Sequence, residues 1–268
     1  MTTIMAVNNP AFTGNKAFSP NATAAELQAL YDAPSANRAP ERAMTYEDTI
    51  AKSFISFAVL LVGAVGGWVI TTMNPALGMG VITVAGIGAF VLAMVNIFKK
   101  EPVPALILGY ALLEGALLGG ISLVFDAQWS GIVAQAVIAT IVVVGVTLAL
   151  FANGKIRASA RATKIFFITI IAYLIFSVVS MLMQSFGATS GTFGLNSVEI
   201  FGVPLGLIIG PLVILLAAYS LVLDFDMVQR GVQNKAPAKF AWTGAFSIMV
   251  TVVWLYMQIL QFLAIARD

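Results

Sequence analysis

The chain has 268 residues, 60% hydrophobic and 10% charged, with 14 Lys or Arg against 12 Asp or Glu and a formal charge of +2. An ordinary soluble domain carries roughly 25% charged residues, so the composition argues against a water-soluble fold, and the net charge is too small to suggest a nucleic-acid partner. Cysteine and histidine are absent, which removes disulfides, thiolate and histidine metal sites, cysteine nucleophiles and histidine bases, and leaves carboxylates as the side chains able to titrate near neutrality.

Residues 1–43 are rich in Ala, Asn, Pro and Ser, without a sustained helical or strand period, and predict a disordered tail. No basic cluster followed by an apolar core opens it, so it does not read as a secretory signal. Asn9-Pro10-Ala11-Phe12 is echoed by Asn15-Lys16-Ala17-Phe18, either a short docking peptide or chance in a biased segment. Ala25 to Tyr31 suggests one short amphipathic turn. Thr45 followed by Asp48 resembles a helix start with Thr45 as N-cap.

Residues 44–268 form the second region, in which apolar runs of spanning length follow one another. Spans are predicted at about 51–73, 77–98, 104–125, 131–152, 164–185, 203–223 and 241–264, giving an all-α bundle of seven transmembrane helices. Lys99 and Lys100 follow the second span, Lys155, Arg157, Arg161 and Lys164 the fourth, and Arg230, Lys235 and Lys239 the sixth. The intervening loops carry Asp126 and Glu199 instead. Basic loops are retained in the cytoplasm, so the expected topology is a multi-pass protein of the cytoplasmic membrane with the amino terminus inside and the carboxyl terminus outside. Arg267, the exception, is followed by Asp268.

Gly63 and Gly67, Gly115 and Gly119, and Gly206 and Gly210 are spaced by four, as at closely packed helices in lipid. In the third span, Glu114 lies about ten residues, or roughly 15 Å, from the basic end. A carboxylate at mid-bilayer costs about 2.5–3.5 kcal/mol on insertion scales, and no lysine or arginine shares its depth. It is therefore either a proton or cation site, protonated or hydrated, or a neutral acid hydrogen-bonded between helices, with Tyr110 one turn away as a partner.

The fifth span carries Thr169, Tyr173, Ser177, Ser180 and Gln184 on one helical face. They form either a polar path or a set of helix contacts. In the sixth span Pro211 removes a backbone donor and predicts a kink, serving either packing or a gate. Asp224 and Asp226 fall at its predicted end, where the helix dipole disfavours acids and where Arg230 or a cation would compensate.

The run from Tyr110 to Gly119 (Tyr-Ala-Leu-Leu-Glu-Gly-Ala-Leu-Leu-Gly), the Leu-Asp-Phe-Asp of 223–226 and the Trp-Leu-Tyr-Met-Gln-Ile-Leu of 254–260 together resemble the Bax inhibitor (TMBIM) family. The likeness is greatest to a bacterial branch with an Asn-Pro-Ala-Phe tail, and it covers about Met44 to the end. The resemblance implies a Bax inhibitor type seven-helix fold and a pH-sensitive calcium leak, closed by two aspartates on the last two helices that share a proton. The first aspartate falls on Asp224. The second falls on Thr251, which cannot share a titrating proton, so that latch is absent from this chain. Gln258 is the nearest polar substitute on the last span, and coupling between Asp224 and Asp226, or of either with Glu114, would have to replace the pair.

No cofactor is predicted beyond a transient Ca2+, because a tight calcium site takes six to eight oxygens. No metal site is assigned. Catalysis is not expected: an intramembrane aspartyl protease needs two opposed aspartates, and the last span lacks the lysine a retinal Schiff base requires. A cation leak, or a non-conducting stress regulator whose tail binds a membrane protease or another membrane partner, are the two functions that fit a chain whose constant partner is the lipid bilayer.

Overall fold

The computed structural model describes residues 42–189 and 192–268. Nearly all of the expected tail, with its Asn-x-Ala-Phe repeat and the turn at Ala25 to Tyr31, lies outside the described residues. Seven helices long and apolar enough to cross a membrane are present among the described residues: α1 (Tyr46–Met73), α2 (Pro75–Phe98), α3 (Pro104–Gln128), α4 (Ile132–Ala152), α5 (Ala160–Ser185), α6 (Leu205–Gln233) and α7 (Ala241–Ile265). The protein is a multi-pass membrane bundle. A two-residue hairpin, β1 (Glu199–Ile200) against β2 (Val203–Pro204), decorates the α5–α6 connection.

Local chemistry sets the helix boundaries. Thr45 caps α1 by accepting from the Asp48 amide at 3.1 Å, as its sequence position predicts, but the Asp48 carboxylate pairs with Arg42 at 3.0 Å instead of closing a capping box. Asn74 ends α1 and caps α2. Hydroxyls along the spans return to carbonyls of their own helix, Thr71 to Gly67 and Thr140 to Ala136 at 2.7 Å each. In lipid this leaves few polar groups unsatisfied.

The paired glycines interlock α1 with α3. A methyl group at Gly63 or Gly67 would collide with the Leu112 and Ala116 backbone, and one at Gly115 or Gly119 with the Leu60 and Ala64 backbone. Gly206 and Gly210 make room on α6 for Ile265 and Phe262 of α7. Helix α6 is continuous through Pro211.

Helix α7 is the axis of the bundle. It packs against α1, α3, α4 and α6, and Met249, Leu255, Leu260 and Ala264 on it have no exposed surface. The outer faces of α1, α2, α4 and α5 present large apolar side chains outward, the arrangement of a protein solvated by lipid. The basic loops gather at one end: Arg157 bonds Gln229 at 2.9 Å, Lys239 pairs with Glu101 at 3.0 Å, and Lys52 donates to the Ala238 carbonyl at 2.7 Å. At the other end Arg267 donates to Gln135 and to the Ser130 carbonyl.

Helix α6 departs from the sequence reading. It runs ten residues past the predicted end at 223, because no breaker follows until Asn234 and the left-handed Lys235 (φ 50°). The acids are therefore not at a helix terminus.

Candidate functional site

Antiparallel crossing of α6 and α7 brings four polar side chains together. Ser220 and Asp224 are one turn apart on α6, and Ser247 and Thr251 one turn apart on α7. The Ser247 hydroxyl donates to Asp224 Oδ1 at 2.5 Å, and the Ser220 and Thr251 hydroxyls meet at 3.5 Å. Asp224 is 5% exposed, and its Oδ2 is buried without a hydrogen-bond partner among the described residues. A buried acid with one oxygen unsatisfied costs free energy that the surrounding fold must carry.

Glu114 lies on the other side of α7. Tyr110 meets Phe246 edge-on, with ring centroids 5.2 Å apart, and Ser122 bonds the Tyr256 hydroxyl at 2.7 Å. These two contacts set α3 parallel to α7 and put Glu114, between them, level with the turn around Met249. Ser247 marks the level of Asp224, so the two acids stand within about one helical turn, ~5.4 Å, of each other along the bundle axis. Glu114 is half-buried, and no hydrogen bond or ion pair to it occurs among the described residues. In particular Tyr110 spends its ring on Phe246 and makes no hydrogen bond to Glu114.

Asp226 does not join this group. Two residues along a helix rotate it by roughly 200° from Asp224, and it pairs with Arg230 at 2.7 Å. The compensation predicted for an acidic helix end is therefore present for Asp226 alone.

Comparison with known proteins adds one match. Residues 9–268 match the Bax inhibitor 1 like family. The chain belongs to that family. No curated protein and no solved structure matches it. The family match starts at Asn9, earlier than the resemblance from Met44 that the motifs carried, so the Asn9-Pro10-Ala11-Phe12 run belongs to the Bax inhibitor 1 like region as well.

In this Bax inhibitor 1 like chain, Thr251 does stand across from the α6 acid, at the position where the resemblance implied a second aspartate. Gln258 is no substitute. It lies two turns further along α7 and accepts from the Tyr173 hydroxyl at 2.8 Å, beside a cavity of about 10 Å³, the size of one water. The group that answers Asp224 is Ser247, one turn before Thr251.

The polar stripe of α5 is divided among separate tasks. Thr169 and Ser177 bond carbonyls of their own helix at 2.9 and 2.8 Å. Ser180 accepts from the Leu195 amide, and Gln184 donates to the Thr192 carbonyl, both at 2.9 Å, so the stripe's far end anchors the α5–α6 connection. Tyr173 reaches α7 through Gln258. Ser220 and Ser247 were missed by sequence reasoning; their four-residue spacing from Asp224 and Thr251 was the available signal. Among the described residues, no three Asp, Glu, His or Cys side chains gather in a group able to hold a metal ion.

Proposed function

We propose that this protein is a pH-responsive leak pathway for calcium or a similar cation across the cytoplasmic membrane, with its amino terminus inside. The supporting observation is Asp224: a buried carboxyl with Oδ2 unpartnered, beside the hydroxyls of Ser220, Ser247 and Thr251. When ionised, that carboxylate needs a counter-charge or water. A passing cation supplies the charge, and the three hydroxyls supply further oxygen ligands. When protonated, the carboxyl can donate a hydrogen bond of its own and has no need of a cation. One carboxylate and three hydroxyls fall short of the six to eight oxygens of a tight calcium site, so the ion visits and leaves. Glu114, at nearly the same level across α7, is the second acidic station.

Reconstitution into vesicles with an entrapped calcium indicator tests this reading. Efflux falls as the pH is lowered, Asp224→Asn flattens that dependence, and Glu114→Gln lowers the rate. Equal efflux from all three proteins and from empty vesicles would remove the leak.

A non-conducting regulator is the second reading, and one contact favours it. Arg42 to Met44 pair with the α6–α7 connection, through Met44 N to Ala236 O at 2.7 Å and Ala238 N to Arg42 O at 2.8 Å. A partner held by the preceding tail would thereby pull on the two helices that carry Asp224 and Ser247. Pull-down of a membrane protease, lost on removal of residues 1–41 and unaffected by Asp224→Asn, is the result expected from it.

A further inference from the structure

Helices α1 and α4 make no packed interface with each other. Between them runs a groove of about 1190 Å³, floored by α7 and α3 through Val252, Tyr256 and Leu118. It extends along α1 from Tyr46 to Val69, about 35 Å of helix rise against a hydrocarbon core of about 30 Å. Its walls are apolar for nearly their whole length. Two of the lining hydroxyls are already used, Ser122 with Tyr256 and Thr140 with the Ala136 carbonyl.

The end of the groove at the basic loops differs. Among the described residues, Arg157 is the one charged residue lining it. Its Nη1 donates to Gln229 Oε1 at 2.9 Å, and its guanidinium lies over the Phe151 ring at 4.5 Å. These contacts orient the fork while leaving other N–H groups uncommitted, and no carboxylate pairs with it among the described residues. On the facing wall, Ser53 Oγ has no hydrogen-bond partner among the described residues. An oriented guanidinium suits a phosphate through two parallel hydrogen bonds, and a hydroxyl nearby suits an ester oxygen. The far end, around Val69 and Val133, offers no charge.

We propose that this groove binds an anionic phospholipid, with its headgroup phosphate on Arg157, an ester oxygen at Ser53 and its acyl chains along α1 and α4. An apolar channel of bilayer height with one cation at one rim matches the amphipathic shape of a lipid. A transmembrane helix from another chain would find few polar complements along the walls and would meet, at the rim, a guanidinium with no carboxylate partner among the described residues.

Native mass spectrometry of the full-length protein, extracted from vesicles of equal parts phosphatidylcholine and phosphatidylglycerol, tests the assignment. Wild type retains phosphatidylglycerol in preference to phosphatidylcholine. Arg157→Gln lowers that preference roughly fivefold, the effect of one basic residue near an anionic headgroup, whereas Arg161→Gln, in the first turn of α5 and outside the groove, leaves it unchanged. A Cβ at Gly145 meets nothing within 4 Å on this wall of the groove, so Gly145→Phe projects into the groove and lowers retention of both lipids. Ile141→Trp, on the same wall, does the same. No preference in wild type, or an equal loss with Arg161→Gln, would overturn the phosphate site. Undiminished retention in both filling variants would place the lipid elsewhere. The native chain has no cysteine, so disulfide dimers formed efficiently in the membrane by Gly145→Cys protein would show a second copy in the groove and would also overturn the proposal.

Discussion

Ser247 donates its hydroxyl hydrogen to Asp224 across the α6–α7 interface, one turn from the Thr251 that occupies the second acidic position. The contact leaves Asp224 with one satisfied oxygen and one bare one. Removing the donor and removing the acid therefore have opposite consequences. Ser247→Ala strips the carboxyl of its partner and should destabilise the protein by about 1–3 kcal/mol. Asp224→Asn keeps an oxygen to accept from Ser247 while deleting the charge, and its stability should equal or exceed that of wild type. A double-mutant cycle of Ser247→Ala with Asp224→Ala on thermal unfolding in detergent measures the coupling, and additivity within about 0.5 kcal/mol would mean that the two side chains act independently.

Thr251→Asp tests whether the local geometry still accepts a carboxyl pair. The new acid would lie beside Ser220 and near Asp224, and two carboxyls at close range retain one proton between them. That shared proton ties α6 to α7, so efflux at neutral pH should drop below the wild-type value and recover only in alkali. Efflux recorded against pH in calcium-loaded vesicles provides the comparison. A profile superimposable on wild type would show that position 251 has no part in the pathway.

The seven spans were legible because hydropathy changes sharply at Asn74, at Glu101 to Val103 and at Gly154 to Ser159. The Thr45 cap and the glycine pairs were legible because each rests on local spacing. The end of α6 was not, since Asp224, Asp226, Gln229 and Arg230 lower the hydropathy while breaking no helix; their polarity turns toward α7, toward Arg157 and toward one another. Ser247 was hidden for another reason. A hydroxyl in an apolar helix ordinarily bonds its own backbone, and only the register of two antiparallel helices reveals that this one does not. The same register separates Asp224 from Asp226, which adjacency in the chain had joined.

Glycine substitutions separate packing from open space. Gly115→Val drives side-chain atoms into the Leu60 carbonyl of α1, and because the obstacle is backbone the helices must part. A loss of more than about 3 kcal/mol, or failure to accumulate in the membrane, is expected. Gly145→Ala meets nothing within 4 Å and adds helix propensity of about 1 kcal/mol, so its stability should be unchanged or raised. Thermal unfolding of both variants under identical detergent conditions decides the matter; similar losses in the two would deny the α1–α3 contact its special role.

The segment just ahead of α1 makes a sharper prediction about the tail. Met44 is 4% exposed, its sulfur lies against Gly231 and its methyl near Gly244, and it clusters with Val228, Ala236 and Ala241 at the end of the α6–α7 pair. Removing a buried methionine side chain costs about 2–5 kcal/mol, and the two backbone bonds to the 236–238 segment would go with it in a deletion. A chain beginning at Arg42 should therefore match the full chain in thermal stability and in calcium efflux. A chain beginning at Thr45 should be less stable, with altered efflux, because Asp224 sits one turn from Val228 on the same face of α6. If a partner acts through the tail, the chain beginning at Arg42 loses capture while keeping flux. Equal stability of the two truncated chains would show that Met44 does not hold α6 and α7 together.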